Sequence, residues 1–178
     1  GRRGRNHFQP GDGRGAGGNV KMFAFYIRNN VGIDFQIFAS GFVFGIGAIL
    51  SLIYNGVHFG AVAGHFLAIG YEDQLFPFVA GHSSWELVAM VIAAVAGMRL
   101  GSLLVAPGRR SRSRALVEEA PRCLRLLLGA AAMTTLAAFI EGFWSAQPLP
   151  ASVKYAVGAV MWLLVIAYLW LGGRRRAA

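Results

Sequence analysis

Residues 84–106 read SWELVAMVIAAVAGMRLGSLLVA, an apolar run broken only by Glu86 near its start and Arg99 near its end. As a helix rising ~1.5 Å per residue, such a run covers the ~30 Å of hydrocarbon in a bilayer. Ala93, Gly97 and Gly101 recur every four residues, a small-residue face that lets a second helix approach closely. Pro107 closes the segment.

Working outward, three more runs have the same character: Val31–Tyr54, Leu124–Ala146 and Tyr155–Leu171. The first carries Gly41 and Gly45, a further packing face. After the turn signal Asn55-Gly56, the stretch Val57–Ile69 is too short for an ordinary span and carries Gly56, Gly60 and Gly64 at intervals of four. Residues 71–83 (YEDQLFPFVAGHS) read as a loop or broken helix. The expected fold is therefore all-α: a polytopic transmembrane bundle of four spans plus a Gly-rich re-entrant hairpin over 56–83. Its Gly56/Gly60/Gly64 face should pack on the first span, because irregular backbone at membrane depth must be buried by protein or lined by water. A second half-helix inside 71–83 would give five or six segments of the same parity.

Around this core (31–173), residues 1–19 read as a flexible basic linker and 20–30 (VKMFAFYIRNN) as an interfacial helix, with Phe23, Phe25 and Tyr26 beside Lys21 and Arg28. Residues 174–178 are a basic tail. The chain opens on Gly-Arg-Arg without a signal peptide, which suggests a piece of a longer protein.

Composition agrees with a membrane solvent. The chain is 56% hydrophobic and only 14% charged, against roughly 25% charged for a soluble domain. The net charge of +9 does not indicate nucleic acid, because the arginines flank apolar spans instead of lining one face of a folded domain. Cys123 has no partner in the chain, which excludes an internal disulfide and a cysteine-based metal cluster. The Arg-rich N-terminal segment, the 107–125 connector and the C-terminus should all face the cytoplasm of a bacterial-type inner (plasma) membrane.

Ionisable residues within spans point to function. They are Asp34, His58, His65, His82, Glu86, Arg99 and Glu141. Counting from Arg125, Glu141 lies ~24 Å from the cytoplasmic face; counting from Pro107 and from Asp34, Glu86 and Asn55 lie ~31 Å from it. These counts suggest an outward-facing polar pocket of Asn55, His65, His82, Glu86 and Glu141. It could relay protons, bind a cation or hold a metal; a purely structural hydrogen-bonded network is the blander and better-supported reading. Asp34 and Arg99 are candidates for an ion pair, and Trp85, Trp144, Trp162 and Trp170 for interface anchors. No P-loop, G-x-G-x-x-G, H-E-x-x-H or G-x-S-x-G motif is present. No enzyme activity, cofactor or metal is expected.

Asn55-Gly56, then Gly81-His82 with Glu86-Leu87 and the Ala/Gly-rich run to Gly101, then Ile140-Glu141-Gly142-Phe143, resemble the stage II sporulation protein M (SpoIIM) family. The opening FYIRNN (25–30) and Lys154-Tyr155-Ala156-Val157 resemble its longer, non-sporulating members, over residues 22–173 in all. The family's usual Gly-His-Gly reads Gly81-His82-Ser83 here. The resemblance implies a polytopic inner-membrane protein, with Asn55, His82, Glu86 and Glu141 at the family's polar positions. It implies a complex subunit whose partners are lipid and other membrane or cytoplasmic proteins, including further copies of itself. A small transporter or channel using the polar pocket is the alternative.

Overall fold

The computed structural model describes residues 15–174, and every regular element in that range is helical. The elements are α1 (Ala16–Tyr26), α2 (Gly32–Ser40), α3 (Ile46–Ala68), α4 (Glu72–Ala80), α5 (Ser83–Val105), α6 (Arg112–Phe139) and α7 (Ala151–Arg174). Widened, π-helical turns at Ile27–Val31 and Ile140–Ser145 join α1 to α2 and extend α6. Residues 1–14 of the expected linker and 175–178 of the expected tail lie outside the described residues.

Among the described residues, four helices are long and apolar enough to cross a membrane: Ile46–Ala68, Ser83–Val105, Arg112–Ser145 and Ala151–Gly172. The chain is a polytopic transmembrane helical bundle. Its core is built from small side chains, so the helices approach closely. Ala89 and Ala93 of α5 meet Leu127 and Ala130 of α6, and Ala96 and Leu100 meet Cys123. Across the other side of α5, Ile37 of α2 and Ala48 of α3 close around Ala94.

The first span differs from expectation. The apolar run 31–54 does not cross as one helix, because the chain reverses between Gly41 and Gly45 and the span is Ile46–Ala68. Gly45 sits at φ +83°, the left-handed region that glycine enters without strain. The reversal is wedged against α5: a side chain at Gly41 would strike the Gly97 backbone, and one at Gly101 would strike the Gly41 carbonyl. Gly41, Gly45, Gly97 and Gly101 are thus close-approach glycines, but at a turn crossing a helix and not along two straight spans.

The re-entrant hairpin over 56–83 is replaced by two helices. Asn55 does not turn the chain; its amide donates to the Ser51 carbonyl at 2.8 Å within α3. Gly56, Gly60 and Gly64 have no other part of the described chain within reach of a Cβ, so among the described residues they pack on nothing beyond their own helix. The 107–125 connector is also shorter than expected. Ser111 caps α6, its hydroxyl accepting from the Arg114 amide at 3.3 Å, and Glu118 accepts from Arg110 and Arg114, each at 2.8 Å.

The bundle has two ends. The α5–α6 connector and the end of α7 share one, rich in arginine. At the other, Phe23 of α1 packs edge-on against Phe139 and Phe143, and its backbone covers Gly142. The start of α1 and the end of α7 therefore lie toward opposite ends of the bundle.

Candidate functional site

Two inward stripes define a polar layer near the α1 end. On α2 and the turn before it the stripe runs Asn30, Asp34, Ile37, Phe38, Gly41, the spacing of one helix face. On α5 it runs His82, Glu86, Met90, Ala93, Ala94, Gly97. These helices run parallel, with Ile37 against Ala94 and Gly41 against Gly97, so the polar members of both stripes fall toward one end. α6 runs antiparallel and brings Thr134 and Glu141 to the same region.

The contacts are specific. The Asp34 side chain is fully buried, and Thr134 donates its hydroxyl to Asp34 Oδ2 at 2.5 Å. Asp34 Oδ1 has no hydrogen-bond partner. One turn earlier, Asn30 donates to Glu141 Oε2 at 3.3 Å. Asp34 lies within electrostatic reach of Glu86. His82, in the turn before α5, holds Nδ1 3.1 Å from the Ser145 hydroxyl and Nε2 3.9 Å from Glu86 Oε2. Burial drives the imidazole down to about 4, so the ring is neutral. With its proton on Nε2, the ring accepts from Ser145 and directs its N–H at Glu86. Buried Lys154 donates to the Ser145 carbonyl at 2.8 Å, satisfying a carbonyl freed by the widened turn.

Of the pocket residues expected from sequence, His82, Glu86 and Glu141 come to this layer. Asn55 and His65 do not. Asn55 lines a separate groove of about 470 Å³ between α2 and α3, with Asn29, Gln36, Ser51, Tyr54 and His58. His65 is exposed on the last turn of α3. The Asp34–Arg99 pair does not form either. Arg99 forks onto Glu119, Nη2 to Oε1 at 3.0 Å and Nε to Oε2 at 3.2 Å, with Arg122 at 3.4 Å from the same carboxylate. The two helices place Asp34 and Arg99 toward opposite ends of the bundle.

Asn30, Thr134, Ser145 and Lys154 escaped the sequence reading. Asn30 and Asp34 at i, i+4 on an otherwise apolar stripe were the available signal. Among the described residues no three of His, Cys, Asp and Glu converge as a metal site. Trp144 has a structural role: its ring lies over Gly81, where a Cβ would collide with it. Trp85 donates to Met161 Sδ at 3.4 Å, tying α5 to α7.

The family model for stage II sporulation protein M matches residues 5–146. The chain is similar to an uncharacterized protein of Methanocaldococcus jannaschii, 28% identical over 121 residues that cover 67% of this chain and 68% of the relative. No solved structure matches.

Proposed function

The chain belongs to the stage II sporulation protein M family, and from that premise we propose that it is a non-catalytic integral membrane subunit, or scaffold, of a multiprotein complex. The observation that carries this is α3. Its most apolar window is only 11% buried within the chain, as is that of α7, against 39% for α5. Gly56, Gly60 and Gly64 stand open on its outer side, and exposed His58 and His65 interrupt its apolar surface. Lipid tolerates such imidazoles poorly; a protein neighbour would shelter them. Partners would be membrane lipid and other membrane or cytoplasmic proteins, a second copy included. The exposed arginines of the connector suit an acidic cytoplasmic surface.

The membrane would be a bacterial-type inner (plasma) membrane, with the connector and the C-terminal arginines on the cytoplasmic side. In a Cys123→Ala background, a cysteine at Gln147 should label from outside intact cells and one at Ser113 should not; the reverse pattern overturns the orientation. For the subunit reading, a photo-crosslinker at Gly60 should capture a discrete protein neighbour in native membranes, and the same probe at Phe38 in the core should not. Adducts to lipid alone at position 60 would refute it.

A small transporter or channel is the second reading, favoured by the buried carboxylates of the polar layer. It requires that Glu86→Gln with Glu141→Gln abolish ion flux in proteoliposomes while the fold is retained.

A further inference from the structure

We propose that Asp34 and Glu86, with Thr134, form a binding site for a small monovalent cation, either a proton or a sodium ion, enclosed between α2, α5 and α6. It stands independently of the subunit reading.

Asp34 is sealed from solvent, and only one of its two oxygens is bonded, to Thr134. The other, Oδ1, is buried without a partner. It sits on the inward stripe of α2, and Glu86, on the inward stripe of α5, lies within electrostatic reach of it. The packing register supports the same placement: α5 and α6 meet at Arg99–Glu119, then at Ala96 with Cys123, then at Ala89 and Ala93 with Leu127 and Ala130. One further turn brings Glu86 to the level of Thr134.

The groups near the pair come from several elements. Thr134 of α6 donates to Asp34, Asn30 one turn before Asp34 donates to Glu141, and one turn after Asp34 the apolar cluster of Ile37, Met90, Ala48 and Leu52 begins. His82 approaches Glu86 as a neutral ring. Glu141 lies beyond Asn30. Among the described residues, no lysine or arginine comes within ion-pair distance of Asp34 or Glu86. Lys154 is engaged by the Ser145 carbonyl, and Arg99 by Glu119.

An ionised carboxylate this deep costs several kcal/mol unless something neutralises it, and two carboxylates in mutual reach double the demand. With no side-chain cation at hand among the described residues, a bound cation supplies the charge. The donors are all oxygens, a hard set that suits a proton or an alkali ion. Two carboxylates without a third ligand of the His, Cys, Asp or Glu type do not make a divalent site. Access exists: the Glu86 side chain is 24% exposed whereas Asp34 is not, so an ion would pass Glu86 before reaching Asp34.

The test uses the full chain in lipid nanodiscs, followed by thermal unfolding. One series replaces choline chloride with sodium chloride at constant ionic strength and pH; the other varies pH from 7 to 9 in choline, where His82 does not titrate. A site of this kind raises the unfolding midpoint by about 5 °C at a large excess of its ion over the dissociation constant. A rise with sodium at fixed pH identifies sodium. A rise on acidification with no sodium response identifies the proton. In either case Asp34→Asn, which keeps an acceptor for Thr134, must abolish the dependence. Should Asp34→Asn fail to fold, Glu86→Gln takes its place: loss of the dependence sustains the site and its persistence overturns it. A wild-type midpoint flat in both series also overturns it.

Discussion

A single methyl group at position 101 should separate the two kinds of glycine in this chain. A Cβ there would collide with the Gly41 carbonyl oxygen and approach the Gly45 nitrogen to 2.5 Å and the Gly41 carbonyl carbon to 2.9 Å. Ordinary contact begins near 3.4 Å, so the 41–45 reversal must retreat from α5 by roughly 1 Å, and a gap of that size forfeits a quarter to a half of each dispersion contact it opens. The contacts at stake are those of Ile37 and Phe38 of α2 with Ala94 and Gly97 of α5. Overpacking costs about 1–3 kcal/mol in general; here only backbone can move, so Gly101→Ala should cost ~3 kcal/mol or more. At about 2–4 °C per kcal/mol for a chain of this size, the unfolding midpoint should fall by about 6–12 °C. Gly60→Ala is the control, since nothing lies within 4 Å of its Cβ position and alanine favours a helix over glycine by ~1 kcal/mol. Its midpoint should hold or rise. The chain carries its own reporter: Cys123 is fully buried against Ala96 and Leu100, so its labelling by a thiol-reactive dye on heating in detergent follows loss of the core. A Gly101→Ala protein that protects Cys123 as long as wild type would refute the wedge, as would equal losses in both variants.

Glu119 and Glu118 are sequence neighbours in different settings, and Gln replacements should expose the difference. Glu119→Gln removes the carboxylate that Arg99 forks onto, leaving a guanidinium on an apolar span, whereas Glu118 pairs with Arg110 and Arg114 at the exposed rim, where such pairs add little. Unfolding midpoints should drop for Glu119→Gln and barely move for Glu118→Gln; equal shifts would mean Arg99 does not need its partner. His82 predicts an acid-side loss of stability. Its imidazole titrates near 4 in the fold and near 6.5 when unfolded, so only the unfolded chain takes up a proton between those values. Stability should be full above pH 6.5 and decline toward pH 4 by up to ~3 kcal/mol. The difference between wild type and His82→Gln melts isolates this effect, and a difference constant across that window would contradict a neutral buried ring.

Much of the site was legible because depth along a straight helix can be counted. Glu86 lies on α5 and Glu141 in the widened turn that continues α6, and counting residues from Pro107 and Arg125 puts the two at similar depth. Asp34 defeated the same arithmetic: it precedes a reversal that hydropathy cannot see, since residues 41–45 (GFVFG) are as apolar as the helices they join. The Asp34–Arg99 pairing inherits that misplaced span. His65 was drawn into the pocket by an assumed hairpin, where α3 in fact runs unbroken to Ala68.

By itself, then, the sequence determined the solvent and the class. Apolar runs of spanning length between arginine clusters leave a helical membrane bundle as the consistent outcome, because in hydrocarbon each backbone amide must be bonded within its own segment. Only the tertiary structure decided where the first span begins, which glycines meet backbone and which face outward, and that Asn30, Asp34, Thr134 and Ser145 join Glu86 and His82 in one layer. Those outcomes hang on a left-handed glycine at residue 45 and on sub-ångström clearances between helices, and neither leaves a trace in local hydropathy.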